Sequence, residues 1–501
     1  MLAMRMRLAV AAPLAALALL LAAGCGGGSK SKQSASGGPS GAEVIPASAV
    51  AFIGINTDLG SDQWKQVDAL SKKFPGRAKV LAQIQRELTK KGVDFKTDVK
   101  PALGAELDVA WLDFADNGAN YVLVTQPKDE AKFKELVKKA NKSDPTSSLV
   151  MEKVGDWTAL ARSQAILERL KSAQNGAKLA DDDRFKDAVA DLPDDALAKA
   201  YLNGQAARQA IRGSVAQSNP AAGGFLAGTP LESLQWLSAS ATAESNGVRL
   251  AAGAKTTKGG KTYSAELADA LPAGAWAYVS FHDLASGIRR ALNAFKSTPG
   301  FEAKRAQLEQ AFGFSIENDL LPLFAGEGAL AVYPPAARAR IPTVDFLLKV
   351  DDEAKARRVL GRIGALAQLG NVGTVRPVKV GSVSGTELRL SGSPVTIDYA
   401  LSNGKIIVTN SRTALGSIGG SGKKLADDPL FTEARSGAKA PDKTSWFLYV
   451  NLHAALPAIL DFVSSSDVAE ARANTKPLRS AFVYATKDGD VTRVGGFLTI
   501  K

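Results

Sequence analysis

Apolar positions along the chain fall into short strand-like runs separated by helical stripes and turn signals. Val50 to Asn56 (VAFIGIN) is an apolar run that turns polar at its end, as a buried strand does. Ser61-Asp62 then offers an N-cap, with Trp64, Val67 and Leu70 on one face of the helix it would start. Val80, Ile84 and Leu88, at four-residue spacing, predict a second amphipathic helix. Glu106 to Phe114 and Tyr121 to Thr125 predict strands joined through Asp116-Asn117-Gly118. A helix carrying Phe133, Leu136 and Val137 follows Pro127-Lys128-Asp129, and Leu149 to Val154 pairs with Trp157 to Arg162 around Gly155-Asp156. Helices near Ala165 to Leu170 and Arg184 to Leu192 come next, then a strand at Ala198 to Asn203. A last hairpin, Leu234 to Ala243 with Val248 to Lys255, turns at Asn246-Gly247.

The pattern then recurs. Leu271-Pro272-Ala273 restarts Ile45-Pro46-Ala47, and Ala277 to Phe281 matches Ala51 to Ile55. Asp98…Pro101…Glu106 returns as Asp319…Pro322…Glu327, and Asp129-Glu130-Ala131-Lys132 returns as Asp352-Glu353-Ala354-Lys355. Lys178 to Asp182 returns as Lys424 to Asp428, and Tyr201-Leu202-Asn203 as Tyr449-Val450-Asn451. Ordered matches over this length indicate a tandem duplication of a long unit. Frequent hairpins without strict β-α-β alternation predict an α+β fold. Each unit would have a mainly antiparallel sheet with helices packed on one face.

The N-terminus changes the picture from fold to address. Arg5 and Arg7 precede an uncharged apolar run from Leu8 to Leu21, too short for a standard span but suited to an export signal. The run closes on Leu21-Ala22-Ala23-Gly24-Cys25, and Met1 and Met4 serve equally well as its start. This ending resembles the lipobox of bacterial lipoproteins. The resemblance implies cleavage before Cys25 and diacylation of its thiol, so that the chain is anchored on the outer face of the cytoplasmic membrane. Residues 26–41 (GGGSKSKQSASGGPSG) read as a flexible tether of roughly 20–25 Å reach. The expected organisation is a signal over 1–24, lipidated Cys25 and tether over 25–43, repeat 1 over 44–256, a linker over 257–269 and repeat 2 over 270–501.

Composition narrows the partners. The 501 residues are 45% hydrophobic and 22% charged, which allows packed cores. Cys25 is the only cysteine, so no internal disulfide supports them. The formal charge of +12 suits either solvated Lys-rich helix faces or anionic neighbours such as lipid headgroups or wall polymers. Basic residues are dispersed among acids without aromatic interleaving, which argues against nucleic acid.

Ile45-Pro46, Phe52 to Asp58, Trp64, Lys72-Lys73-Phe74-Pro75 and the Asp98…Pro101…Gly104…Glu106 set resemble the bacterial envelope proteins grouped as domain of unknown function 3352. The resemblance implies an anchored envelope protein and supplies no catalytic residue.

Chemistry is sparse. The two histidines, His282 and His453, align with Asn56 and Gln205, so hydrogen bonding near a strand end suffices for them. Two histidines and no free thiol do not make a zinc site. Gly381-Ser382-Val383-Ser384-Gly385 puts valine at the nucleophile position of an elbow. Gly416 to Lys424 lacks the spacing of a phosphate loop and reads as a turn. Asp181-Asp182-Asp183 and Asp427-Asp428-Pro429 read as helix caps. Glu106 and Glu327 would serve acid–base chemistry only if they converged; otherwise they pair or cap. The loop Gly213 to Thr229, with Phe225-Leu226, is a connector or a flap. The expectation is a non-enzymatic envelope binding module for a protein, lipid or wall polymer, with no cofactor. A carrier of an apolar ligand between two lobes and a hydrolase using Glu106 or Glu327 are the alternatives.

Overall fold

The computed structural model describes residues 40–209, 230–257, 261–296, 298–336, 341–370, 372–393, 395–461 and 468–501. The predicted Cys25 site, the signal and the loop 213–229 lie outside them.

In the first half the strands are β1 (Ala51–Asn56), β2 (Glu106–Trp111), β3 (Tyr121–Thr125), β4 (Val150–Val154), β5 (Trp157–Ala161), β6 (Ala198–Asn203), β7 (Leu234–Glu244), β8 (Gly247–Thr256) and β9 (Tyr263–Ser264). The second half contributes β10 (Ala277–His282), β11 (Glu327–Tyr333), β12 (Thr343–Lys349), β13 (Gly373–Val380), β14 (Val383–Leu390), β15 (Thr396–Ser402), β16 (Lys405–Thr409), β17 (Lys443–Thr444), β18 (Trp446–Val450), β19 (Leu478–Asp488) and β20 (Val491–Ile500). The helices that shape the argument are α1 (Asp62–Ser71), α2 (Arg77–Lys90), α3 (Glu130–Ser143), α4 (Gln164–Ser172) and α5 (Asp183–Val189) in the first half. Their second-half counterparts in the account are α6 (Leu284–Phe295), α7 (Phe301–Phe312), α8 (Glu353–Leu369), α9 (Arg412–Ser417), α10 (Pro429–Gly437) and α11 (Leu452–Leu460).

Local rules set these boundaries. The Ser61 side chain accepts the Trp64 N–H at the start of α1, and Asp129 accepts the Lys132 N–H (2.9 Å) at the start of α3. Asp182 accepts the N–H groups of Arg184 (2.9 Å) and Phe185 (3.1 Å). Asp428 accepts that of Leu430 (2.9 Å), with Pro429 in the first turn of α10. Both acidic clusters are therefore helix caps.

Eighteen strands form one sheet, and every pairing in it is antiparallel. β8 pairs with β20, from Gly247↔Thr499 to Lys255↔Val491, and joins the two halves. Outward from that seam the first half runs β8-β7-β6-β1-β2-β3-β5-β4. The second runs β20-β19-β18-β10-β11-β12-β16-β15 and continues into β14 and β13. The predicted α+β class with a mainly antiparallel sheet is thus the observed one.

Three details differ from the sequence expectation. Helices pack on both faces of the sheet, not one. On the first face, α4 and α5 cover Phe52, Ala110 and Tyr201, while Phe431 of α10 sits against Tyr278, Phe447, Tyr449 and Phe482. On the opposite face, Trp64 of α1 and Ile84 and Leu88 of α2 pack around Ile55, and Phe133 of α3 packs near Leu123 and Leu160. Secondly, Ser40–Glu43, expected to belong to the tether, form a 3-10 turn with Gly41 and Ala42 buried. Thirdly, the expected linker carries structure, since β9 pairs with β17 and Leu267–Asp269 form a 3-10 turn.

Candidate functional site: carboxylate clamps and an open apolar strip

Glu106 is the first residue of β2, and its Oε1 accepts the Gly41 N–H (3.0 Å) and the Ser40 hydroxyl. Asp108, two residues on, accepts the same Gly41 N–H at 2.9 Å. The approach is close: a Cβ on Gly41 would lie 1.9 Å from Asp108 Oδ2. Burial, then the neighbouring Glu106, pushes the Asp108 carboxyl well above the usual carboxylate range. Its Oδ1 has no hydrogen-bond partner among the described residues. Lys199 on β6 stands opposite Gly54 of β1, which stands opposite Asp108, so lysine and aspartate share a row with no side chain between them. Burial lowers the Lys199 pKa, opposed by Asp194, Glu106 and Asp195.

Glu327, the first residue of β11, does for the second half what Glu106 does for the first. It accepts the N–H groups of Glu266 (2.9 Å) and Leu267 (3.0 Å) and the Ser280 hydroxyl (3.2 Å), and burial raises its pKa. Both glutamates clamp the segment that enters their half. Eight strands separate β2 from β11, on the order of 40 Å along the sheet at ordinary strand spacing, so the pair does not converge.

Neither histidine joins a cluster. His282 ends β10 and stacks on Tyr263 with ring centroids 5.0 Å apart, and His453 is exposed on α11. Among the described residues no group of three or more His, Cys, Asp or Glu is arranged to hold a metal. Gly381 takes φ 60° in the turn between β13 and β14, while Gly416 and Ser417 end α9 and a turn follows with Gly419 at φ 75°.

Sequence reasoning missed a buried acidic row in the second half. Asp345 (β12), Thr409 (β16), Asp398 (β15) and Glu387 (β14) stand side by side on the first face. Thr409 donates to Asp345 Oδ1 (2.6 Å). Arg412, at the start of α9, pairs with Glu387 and lies 3.9 Å from Asp398. Burial pushes Asp345 up to about 6 and raises Asp398 as well. The available signal was one acidic residue in each of three strands, β12, β14 and β15 (TVDFLLK, VSGTELRL, TIDYALS).

The largest chemically uniform feature is apolar. On the face opposite Phe52 and Tyr278, a cross-strand row runs Ala198, Ala241, Leu250, Gly496, Val483, Leu448, Val279 and Leu330 over β6-β7-β8-β20-β19-β18-β10-β11. Leu250, at the seam, is 55% exposed, and Leu330, at the β11 end of the row, is exposed too, as are Trp446 in the adjoining row and Leu237 one row further on. The strip crosses the β8–β20 seam, and alanines and Gly496 make its floor shallow. Covering the exposed half of Leu250 would add on the order of 1 kcal/mol of burial.

Comparison with solved structures finds three crystal forms of TP0453. Form IV matches with a TM-score of 0.26 at 10% identity, covering 47% of this chain and 94% of that one. Form III gives 0.23 at 11% identity over 47% and 95%, and form I gives 0.22 at 13% over 44% and 74%. No curated protein matches the sequence. The family described as "Protein of unknown function (DUF3352)" matches residues 8–499, nearly the whole length. The chain belongs to the DUF3352 family.

Proposed function

We propose that this is an exported envelope protein, anchored through a lipid on Cys25, that binds an apolar chain such as a lipid acyl group on the open strip across the β8–β20 seam and does no chemistry on it. One observation carries the reading: eight adjacent strands present a row without a polar side chain, whose leucine at the seam faces solvent. On the same face α1 and α2 cover Ile55 and α1 covers Ala243, so the strip is the part of that face that helices leave open. The carrier alternative is thereby favoured over a scaffold for a wall polymer, which would need convergent polar groups. Glu106 and Glu327 act in this reading as clamps, Glu106 on the Gly41 N–H and Ser40 hydroxyl and Glu327 on the Glu266 and Leu267 N–H groups.

The test is mass spectrometry of the protein extracted from its own membranes, under native and denaturing conditions, beside Cys25→Ser and Ala241→Glu variants. A diacylglyceryl mass that survives denaturation and is lost in Cys25→Ser supports the anchor. An additional mass released by denaturation and absent from Ala241→Glu supports the strip as its seat. An extracted protein with no released mass overturns the carrier reading.

A further inference from the structure

The helices that follow the first strand of each half are built alike and packed differently. In the first half, Trp64 and Leu70 of α1 are buried, and Val67, Ile84 and Leu88 join the cores beneath α1 and α2. In the second half, α6 carries Leu284, Ile288 and Phe295 on one stripe, and α7 carries Leu308 and Phe312 one turn apart; none of them joins a core cluster. Leu308 is 50% exposed, and Leu369, at the end of the neighbouring α8, is 83% exposed. The three helices form one surface. Phe295 and Phe301 place their ring centroids 6.0 Å apart, and a Cβ on Gly313 would lie 3.8 Å from Arg362 of α8.

The three helices are basic: α6, α7 and α8 carry eight lysines and arginines against three glutamates. Glu302 pairs with Arg305 and Glu317 with Arg289, while Glu309, Asp319 and Glu353 accept the N–H groups of Ile316, Ser315 and Gly404 and keep their charge. Arg290, Lys296, Lys304, Arg358 and Arg362 have no carboxylate partner among the described residues. Apolar side chains set among an excess of cations, five of them outside any ion pair, match the interface of an anionic bilayer, where leucine and phenylalanine enter the acyl boundary and cations meet phosphates. An acidic polymer in water would take the cations and leave the leucines and phenylalanines wet.

We infer that α6, α7 and the end of α8 form a docking surface for an anionic lipid bilayer, through which the second half lies on the membrane. This surface is distinct from the sheet strip and stands whether or not the strip holds a ligand.

The experiment uses the full chain with Cys25→Ser and a single new cysteine, Leu308→Cys, carrying a polarity-sensitive fluorophore. Vesicles contain one part phosphatidylglycerol to two parts phosphatidylcholine with a spin-labelled acyl chain as quencher. Only vesicle-bound protein is measured, so the label reports contact by the surface however the chain is attached. Quenching is expected at position 308 and not at Val150→Cys, an exposed site on edge strand β4. It should fade at about 1 M salt, where screening is complete within ~3 Å. Arg290→Gln, Lys304→Gln and Arg362→Gln together should shift docking by roughly a hundredfold. Equal quenching at 308 and 150, none at 308, or undiminished quenching on pure phosphatidylcholine overturns the inference. Shielding of the label by a soluble glycerol phosphate polymer without lipid quenching also overturns it, in favour of wall polymer.

Discussion

Asp345 makes stability depend on pH in a direction opposite to that of an ion-paired carboxylate. The residue sits in β12 with Thr409 donating to Oδ1, while Oδ2 has no partner among the described residues. Its carboxyl is pushed from 3.8 up to about 6, mainly by burial. Below pH 3.8 both folded and unfolded chains hold the proton and the group contributes nothing to the difference. Between that value and about 6 only the folded chain holds it, so stability falls as pH rises. Above about 6 the penalty is complete, and two pKa units correspond to roughly 3 kcal/mol. Asp345→Asn removes the charge, and its Oδ1 still accepts from Thr409. It leaves one amide donor buried without an acceptor, at a cost of about 1 kcal/mol. The variant should therefore be less stable than wild type by about 1 kcal/mol at pH 3 and more stable by about 2 kcal/mol at pH 8. Urea denaturation followed by tryptophan fluorescence across that range measures the difference. A stability difference that stays flat with pH would refute the reasoning. Other buried carboxylates titrate in both proteins and cancel in the comparison.

Other perturbations test the clamps and cores. Gly41→Ala forces a methyl into Asp108 and should cost about 1–3 kcal/mol, read as a lowered melting temperature, with Asp108→Ala in the same chain restoring part of it. Phe431→Ala removes the ring that touches Tyr278, Phe447, Tyr449 and Phe482, for a loss of about 3–5 kcal/mol in denaturant titration. Asp428→Ala deletes the cap of α10 and the acceptor of the Gly274 N–H (2.9 Å). A loss of about 0.5–2 kcal/mol is expected, with faster hydrogen exchange confined to the first turn of α10.

What the sequence made legible was local. Caps at Ser61, Asp129, Asp182 and Asp428 depend on a side chain two or three residues from the N–H it accepts, and the Asn246-Gly247 turn needs only its two neighbours. Two kinds of information were not local. The first is phase. In β2, Leu107 and Val109 mark the face toward Ile53 and Ile55, which makes Asp108 look solvent-facing under simple alternation. With cores on both faces, the polar phase is buried too, and Asp108, Asp345 and Asp398 enter it. The second is cover. Helices α1 and α6 carry equally clear apolar stripes, yet only α1 is pressed onto the sheet, because burial depends on how the connecting segments place each helix. The row through Asp108 shows how the halves diverge once their surroundings differ. Lys199, Gly54 and Asp108 stand where the other half has Phe447, Ser280 and Ala329 in the same strand order. A charged row needs a partner for each charge, and the Gly41 N–H supplies part of that for Asp108. An apolar row needs only Phe431 and its neighbours packed above it. Pattern-matching along the chain registers such positions as mere mismatches, whereas in the sheet they distinguish the half that grips the incoming N-terminal segment with buried charge from the half that closes over aromatic rings.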